Sequence, residues 1–458
     1  MKFSGKMKLF EETPIPKAVM TLAVPTIISS LVMVIYNLAD TYFVGMLDNA
    51  VENAAVTLAA PVLLAFNAVN NLFGVGSSSM MSRALGKKDH ETVRRSSVIG
   101  FYCSLLCGAL ISVMCGVFQK PLLDMLGADP STFSATAGYL KWTAVFGAVP
   151  AILNVVLAYM VRSEGASLHA SLGTMCGCLL NIILDPFFIL PRFLGMGAAG
   201  AGLATFISNC AACCYFFILL KKKKDSTFIC IDPRMLRFRK SIVFGICAVG
   251  IPAAIQNLLN VTGMTVLNNF TSDFGSDAVA AMGIAQKINM IPLYVALGLS
   301  QGIMPLVSYN YSSGNFKRMK GSVTFSITIA VSFLLVLTAV YYFCSEGLIS
   351  MFMKNRAVVS YGSRFLHGMC LALPFLCVDF IAVGVFQSCG MGGRSLIFAV
   401  MRKIILEIPA LYVLNRAFPL YGLAYAQLTA EVILAAAAVI VLHRIFTSLD
   451  KSSPTAEA

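Results

Sequence analysis

Charge is scarce in this sequence. Asp, Glu, Lys and Arg make up 12% of its 458 residues, against roughly one-quarter in an ordinary soluble domain. With 58% hydrophobic residues, the chain has too little polar surface to clothe a water-soluble globule of this length. Histidine is scarcer still, with four copies, and tryptophan occurs once. No nucleophile–base pair or metal cluster stands out, so the chain is expected not to be an enzyme and to need no cofactor. Cysteine is plentiful, with 14 copies, but a paired C-x-x-C framework is missing. Cys103, Cys107, Cys115, Cys176, Cys178, Cys210, Cys213 and Cys214 lie inside apolar runs and read as small packing residues, which argues against disulfides and a zinc site. There is no G-x-x-x-x-G-K-[ST] loop, which excludes ATP hydrolysis by that route. Gly195-x-Gly197-x-x-Gly200 matches a dinucleotide fingerprint in letters only. It lacks the strand–turn–helix context, and its small residues suit close helix packing.

What fills the sequence is long apolar runs, with a mean hydropathy of +0.81. Approximate limits are 18–45, 54–82, 96–119, 133–161, 168–190, 197–220, 241–271, 277–308, 322–344, 359–389, 395–415 and 420–446. Each is long enough for a hydrocarbon core of about 30 Å. A membrane β-barrel would show short alternating segments instead. The first run is too long for the core of a cleavable signal and has Glu11 and Glu12 in its flank. The expected class is an all-α polytopic membrane protein with about twelve transmembrane helices.

The net charge of +13 would suit nucleic acid if it were clustered on one face, but its distribution argues against such a partner. Basic residues gather in alternate loops: Arg83, Lys87, Lys88, Arg94 and Arg95; Arg162; Lys221 to Lys224 with Arg234, Arg237, Arg239 and Lys240; Lys317, Arg318 and Lys320; and Arg394. Lys2, Lys6, Lys8 and Lys17 mark the N-terminus, and Arg444 and Lys451 the C-terminus. The intervening loops are poorer in them. This alternation predicts cytoplasmic termini and an even span count.

The longest polar stretch divides the chain into an N-terminal six-helix lobe (1–220), a cytoplasmic basic linker (221–240), a C-terminal six-helix lobe (241–446) and a cytoplasmic tail (447–458). The halves repeat. Gly202-Leu203-Ala204 answers Gly422-Leu423-Ala424, Pro150 before Ser163-Glu164-Gly165 answers Pro374 before Ser388-Cys389-Gly390, and Pro25 answers Pro252. An even number of spans per half gives both repeats one orientation. The two lobes are therefore expected to be related by a pseudo-two-fold axis along the membrane normal, with a substrate path at their interface.

Acids inside the apolar runs are the candidate functional groups. Asp40 shares a helix face with Asn37 and Tyr36. An ionised carboxylate at mid-membrane costs about 2.5–3.5 kcal/mol on insertion scales, so it is expected to face a cavity, an ion or a partner; a structural hydrogen bond is the plainer alternative. Asn181 and Asp185 lie four apart on one face, and Pro186 frees backbone carbonyls beside them. Oxygens of this kind suit a proton or Na⁺ at Asp40, Asn181 and Asp185. In the second half Lys287 and Asp379 lie within apolar spans and are expected either to pair or, for Lys287, to reach an interface. Glu407 follows Lys403 by four residues and reads as a helical ion pair, Arg402 and Lys403 are expected near the cytoplasmic end of their span, and Glu431 shows no local partner. Tyr36, Asn37, Gln256, Asn260, Met282 and Tyr294 are candidates for a pliable substrate pocket, as are Phe66, Met33, Met264 and Met290.

Three stretches carry a family resemblance: Pro25 with Asn37-Leu38-Ala39-Asp40-Thr41-Tyr42-Phe43-Val44-Gly45; Ser82-Arg83-Ala84-Leu85-Gly86; and Asn181-Ile182-Ile183-Leu184-Asp185-Pro186. With Pro292 to Pro305 and Tyr309-Asn310-Tyr311 in the second half, they resemble the multidrug and toxic compound extrusion (MATE) transporters, most of all the MepA-like bacterial group. The resemblance runs from about residue 15 to 446. It implies a secondary antiporter of a bacterial cell (inner) membrane, working as a monomer, that exports small organic, often cationic, compounds in exchange for H⁺ or Na⁺. It also implies a cation site on Asp40, Asn181, Asp185 and Thr205. Asp379 resembles the acidic position of the NorM branch, but no acid stands at Gln256, Asn257 or Asn260, where that branch has a seventh-span glutamate. A lipid-linked saccharide flippase or a narrow metabolite exporter of the same superfamily is the alternative.

Overall fold

The computed structural model describes residues 2–451, with side chains from Met7 onward. The side chains of Lys2 and Lys6, and the expected tail from 452 on, lie outside the described residues. Every regular element among the described residues is helical. After a short helix, Lys2–Glu11, come α1 (Ile15–Gly45), α2 (Ala50–Gly86), α3 (His90–Val117), α4 (Phe133–Val145 and Ala148–Ser163), α5 (Ser167–Ile189) and α6 (Gly197–Lys222). The second half holds α7 (Lys240–Ser272), α8 (Ser276–Ser312), α9 (Phe316–Phe343), α10 (Arg356–Leu371 and Leu373–Ser388), α11 (Gly392–Val400, Met401–Glu407 and Ile408–Ala417) and α12 (Gly422–Lys451).

Among the described residues, nine of these are single helices long and apolar enough to cross a bilayer. α4 and α10 are bent by 44° and 45°, and counting each pair as one span brings the number to 11. Pro374 opens the second piece of α10, where its missing N–H breaks the ladder without loss. The remaining expected span, 395–415, is α11. It is divided by the π-helical turn Met401–Glu407, which carries Arg402, Lys403 and Glu407. Such turns concentrate where a helix must re-aim side chains.

The chain forms two compact units. One is Ile28–Ala254 with the N-terminal residues up to Leu9, and the other is Phe10–Ile27 with the chain from Ile255 onward. Helices α1 and α7 are thus each divided between units, a few residues beyond Pro25 and Pro252 respectively. The basic connector is held within the first unit. Buried Glu164 accepts from the Thr227 hydroxyl at 2.9 Å and from the Ile229 amide at 2.9 Å, and also from the Phe228 amide. Ser97 Oγ receives the Cys230 amide at 2.9 Å, and the Tyr102 hydroxyl donates to the Ile231 carbonyl at 3.0 Å. Ile242 and Ile246 of α7 pack on Ile99 of α3 in the core. In the second unit Phe10 stacks on fully buried Tyr309 at 4.9 Å, and the Tyr309 hydroxyl donates to Glu11 at 2.6 Å.

The internal repeat extends to single hydrogen bonds. In the first unit Ser82 Oγ donates to the Ser163 carbonyl at 2.9 Å, and in the second Ser308 Oγ donates to the Ser388 carbonyl at 2.9 Å. Asp89 caps α3 through the Thr92 amide as Asn315 caps α9 through the Arg318 amide. No disulfide joins the described cysteines.

Glycine sets how closely α7 approaches α2. A methyl group on Gly250 would overlap the Leu72 carbonyl oxygen, whereas one on Gly283 meets open space. Gly250→Ala is expected to destabilise by about 1–3 kcal/mol, while Gly283→Ala in the middle of α8 gains about 0.5–1 kcal/mol from helix propensity. Thermal unfolding of the two variants in detergent checks this. Equal midpoints would refute the close approach.

Candidate functional site

The first cluster lies within the first unit, on α1, α4, α5 and α6. Asn181 and Asp185, one turn apart on α5, are both buried. With its amide oriented by the surrounding network, Asn181 donates to Asp185 Oδ2 at 2.9 Å. Its oxygen accepts from the Thr205 amide at 3.0 Å and from the Thr205 hydroxyl at 3.3 Å. Thr205 sits on α6 next to small residues that let α5 and α6 close on each other: a methyl on Gly177 would lie 3.2 Å from both Ala212 Cβ and the Ser208 carbonyl oxygen. Asp40, from α1, is within electrostatic range of Asp185, and the buried ring of Tyr139 is within range of both acids. Tyr36 hydrogen-bonds Thr205. Asp40 Oδ1 is buried with no hydrogen-bond partner among the described residues. Asp40, Asn181, Asp185 and Thr205 are therefore brought together, with Tyr36 and Tyr139 closing the group.

Two carboxylates sharing such a pocket repel each other when both are ionised, which favours a proton or a small cation between them. The oxygens of Asp40, Asp185, Asn181 and Thr205 form a hard donor set of the kind Na⁺ takes. The described residues hold no group of three or more His, Cys, Asp or Glu suited to a tightly bound metal.

The second cluster lies within the second unit, and its hub is a residue that sequence reasoning placed elsewhere. Arg402 is buried, not at a helix end. Its Nη1 donates to Asp379 Oδ2 at 3.0 Å, its Nη2 donates to Asn260 Oδ1 at 2.6 Å, and its Nε lies 3.8 Å from Glu431 Oε1. The guanidinium also sits over the Phe380 ring, 4.9 Å from its centre. The expected Lys287–Asp379 pair is not formed. Lys287 is exposed on α8, and Arg402 takes the place at Asp379 instead. An arginine can serve several oxygens with its fork of donors, which one ammonium cannot do. Lys403 and Glu407 do pair, at 2.6 Å, and both are buried. The sequence offered only a partial signal: three charges close together in an apolar run favour internal pairing unless they lie near the end of the span.

The pocket candidates divide. Tyr36 and Tyr294 are half-buried, and Asn37 is exposed with its amide donating to the Met33 carbonyl. Gln256 accepts from Gln387 at 3.3 Å, and Asn260 belongs to the Arg402 hub. Met282 is packed inside the second unit at 1% exposure and offers no surface to a ligand.

Repeated bundles of apolar helices that keep acids in their interiors define a class: the multi-pass membrane transporter built from parallel repeats. Comparison gives the family. The MatE family model matches residues 25–187 and 252–413, and the chain belongs to the MATE family. The multidrug export protein MepA of Staphylococcus aureus (strain MRSA252) is 31% identical over 437 residues, covering 95% of each chain. MepA of Staphylococcus haemolyticus (strain JCSC1435) is 33% identical over 449 residues, covering 97% of each. A solved structure described as the outward-facing conformation of a multidrug resistance MATE family transporter of the MOP superfamily superposes with a TM-score of 0.91. It is 25% identical and covers 97% of this chain and 98% of its own.

Removing the hub cation tests its place in the second unit. Arg402→Met removes the counter-charge of buried Asp379 and the cation nearest Glu431, and a loss of about 3–5 kcal/mol is expected. Adding Asp379→Asn and Glu431→Gln to that variant should restore most of the loss, read as thermal midpoints in detergent. A triple variant no more stable than the single one would overturn the reading.

Proposed function

We propose that this chain is a secondary active exporter of small organic, often cationic, compounds, driven by exchange with H⁺ or Na⁺. The observation that carries the proposal is Asp40: a carboxylate in an apolar helix, close to Asp185, with one buried oxygen that has no partner among the described residues. The membership of the family and the similarity to MepA proteins support the export of drugs. The alternating basic loops support cytoplasmic termini in a bacterial inner membrane. The transporter acts as a monomer.

In this mechanism the coupling ion enters from outside and binds Asp40 and Asp185, with Asn181 and Thr205 holding Asp185 in place. Neutralising the pair removes the repulsion that keeps α1 and α5 in one arrangement. The units then rock by alternating access, and the compound leaves outward as the ion moves in. One net charge descending a 100 mV potential supplies about 2.3 kcal/mol, enough for somewhat more than a tenfold concentration of an uncharged cargo, whereas one-for-one exchange with a singly charged cargo is driven by the ion's concentration gradient alone.

The test is export of a fluorescent organic cation from proteoliposomes, with a pH gradient and a Na⁺ gradient imposed separately. Wild-type flux is expected to follow one gradient. Asp40→Asn is expected to abolish coupled flux while keeping the wild-type elution profile and thermal midpoint. Undiminished gradient-driven export by Asp40→Asn would sink the assignment.

A further inference from the structure

The hub in the second unit has more acid than base. Arg402 and Lys403 bring two cations, and Asp379, Glu407 and Glu431 bring three carboxylates. Lys403 is committed to Glu407 by two contacts, at 2.6 and 2.7 Å. Arg402 donates to Asp379 at 3.0 Å and is spread further over Asn260 and the Phe380 ring. Glu431 is left with Arg402 Nε at 3.8 Å and, among the described residues, no hydrogen bond to either carboxylate oxygen, although the residue is fully buried. Asp379 Oδ1 is likewise unsatisfied. A buried anion without its own counter-charge is among the most expensive arrangements a membrane protein can hold.

The fold does not require this charge. Twelve residues after the matched glycines Gly165 and Gly390 stand Gly177 and Arg402. Nine residues before the matched serines Ser163 and Ser388 stand Asn154 and Asp379. In the first unit Asn154 bonds directly to Asn209 of α6 at 3.0 Å, and Gly177 lies so close to α6 that even a methyl there would be crowded at 3.2 Å. The same architecture is thus closed in one repeat with neutral amides and a glycine. In the other a buried arginine stands between two acids.

We infer that Glu431 is a second proton-carrying site, which binds one proton in the resting protein and gives it up during the transport cycle. A proton bound to Glu431 removes the surplus negative charge and supplies the missing donor. A metal ion would need several oxygen ligands and would face the fixed guanidinium at the same spot, which disfavours it. The titratable groups facing Glu431 are Cys377 and Asp379 from α10, and Arg402, Lys403 and Glu407 from α11. Arg364 and His367, on the first piece of α10, are engaged by Tyr421 and by Ser345 and Tyr342. When organic cation approaches the second unit, loss of this proton restores the negative charge and favours the cation. When cargo leaves, reprotonation erases it. The inference rests on the antiport reading for its place in the cycle, but the proton on Glu431 is testable without transport.

The experiment is a pH titration of the full-length reconstituted protein by infrared difference spectroscopy, with wild type, Asp40→Asn, Glu431→Gln and Glu431→Asp compared. The wild type is expected to show a protonated-carboxyl C=O band that disappears on alkalinisation. Asp40→Asn keeps this band, Glu431→Gln loses it and Glu431→Asp shifts it. A companion measurement counts protons released when a fluorescent organic cation binds in detergent, and Glu431→Gln is expected to release one fewer per dye. A Glu431→Gln spectrum and proton count equal to wild type would overturn the inference. Should Glu431→Gln fail to fold, an unshifted band in Glu431→Asp overturns it equally. Failure of the Asp40 assignment would appear instead as undiminished gradient-driven flux in Asp40→Asn, whatever the band does.

Discussion

The cost of holding a carboxylate in hydrocarbon governs this protein. Apolar helices are stable in a bilayer because they satisfy their own backbone groups, and nothing in that economy calls for Asp40, Asp185, Asp379 or Glu431. Each has to be matched by a hydrogen bond, a fixed cation or something that arrives from outside. Asp185 is matched by Asn181 and, through it, Thr205. Asp379 is matched by Arg402. One oxygen of Asp40, one of Asp379 and both of Glu431 have no hydrogen-bond partner among the described residues, and the proposed ion sites rest on Asp40 and Glu431.

The two units solve one packing problem with different chemistry. Their shared serine-to-carbonyl bonds and helix caps show how closely the backbone is repeated. On that common frame the first unit places its acids at α1 and α5 and leaves the contact between α4 and α6 neutral. The second unit has no acid on the matching face of α7 and moves its charge to α10, α11 and α12. A π-helical turn at Met401–Glu407 accompanies the change. The extra residue per turn rotates the helix, so that Arg402 and Lys403, adjacent in sequence, both find buried carboxylates.

Much of this was legible in the sequence. Helical spans announce themselves by length and hydropathy, and Asn181 and Asp185 announce a shared face by their spacing. Thr205 came only through the family resemblance, since a threonine among small residues carries no signal of its own. Arg402 was misplaced because a basic pair in an apolar run looks the same at a membrane surface as in a core; depth is set by tertiary packing. Of the two readings of Lys287, the pair with Asp379 is not formed, and the side chain is exposed instead. The connector after α6 reads as a linker because it is polar, yet Glu164 captures its backbone amides and draws it into the first unit. A buried glutamate that binds amides far along the chain leaves no periodic trace.

The sharing of α1 between units bears on how the protein is made. Phe10 lies 300 residues before the Asn310 side chain that binds its carbonyl, and it stacks on Tyr309. At about 5–20 residues per second of synthesis, the first half of α1 exists for roughly 15–60 s before its partners emerge. During that interval Phe10 and the first part of α1 have no native surface of their own unit to cover them, while the remainder of α1 can already join the first unit. The first unit can therefore mature early, but the second closes only when the oldest part of the chain meets one of the younger parts. Mutations in Phe10 or Tyr309 would accordingly be felt in biogenesis, as chain that is inserted but never completed, more than in the chemistry of transport.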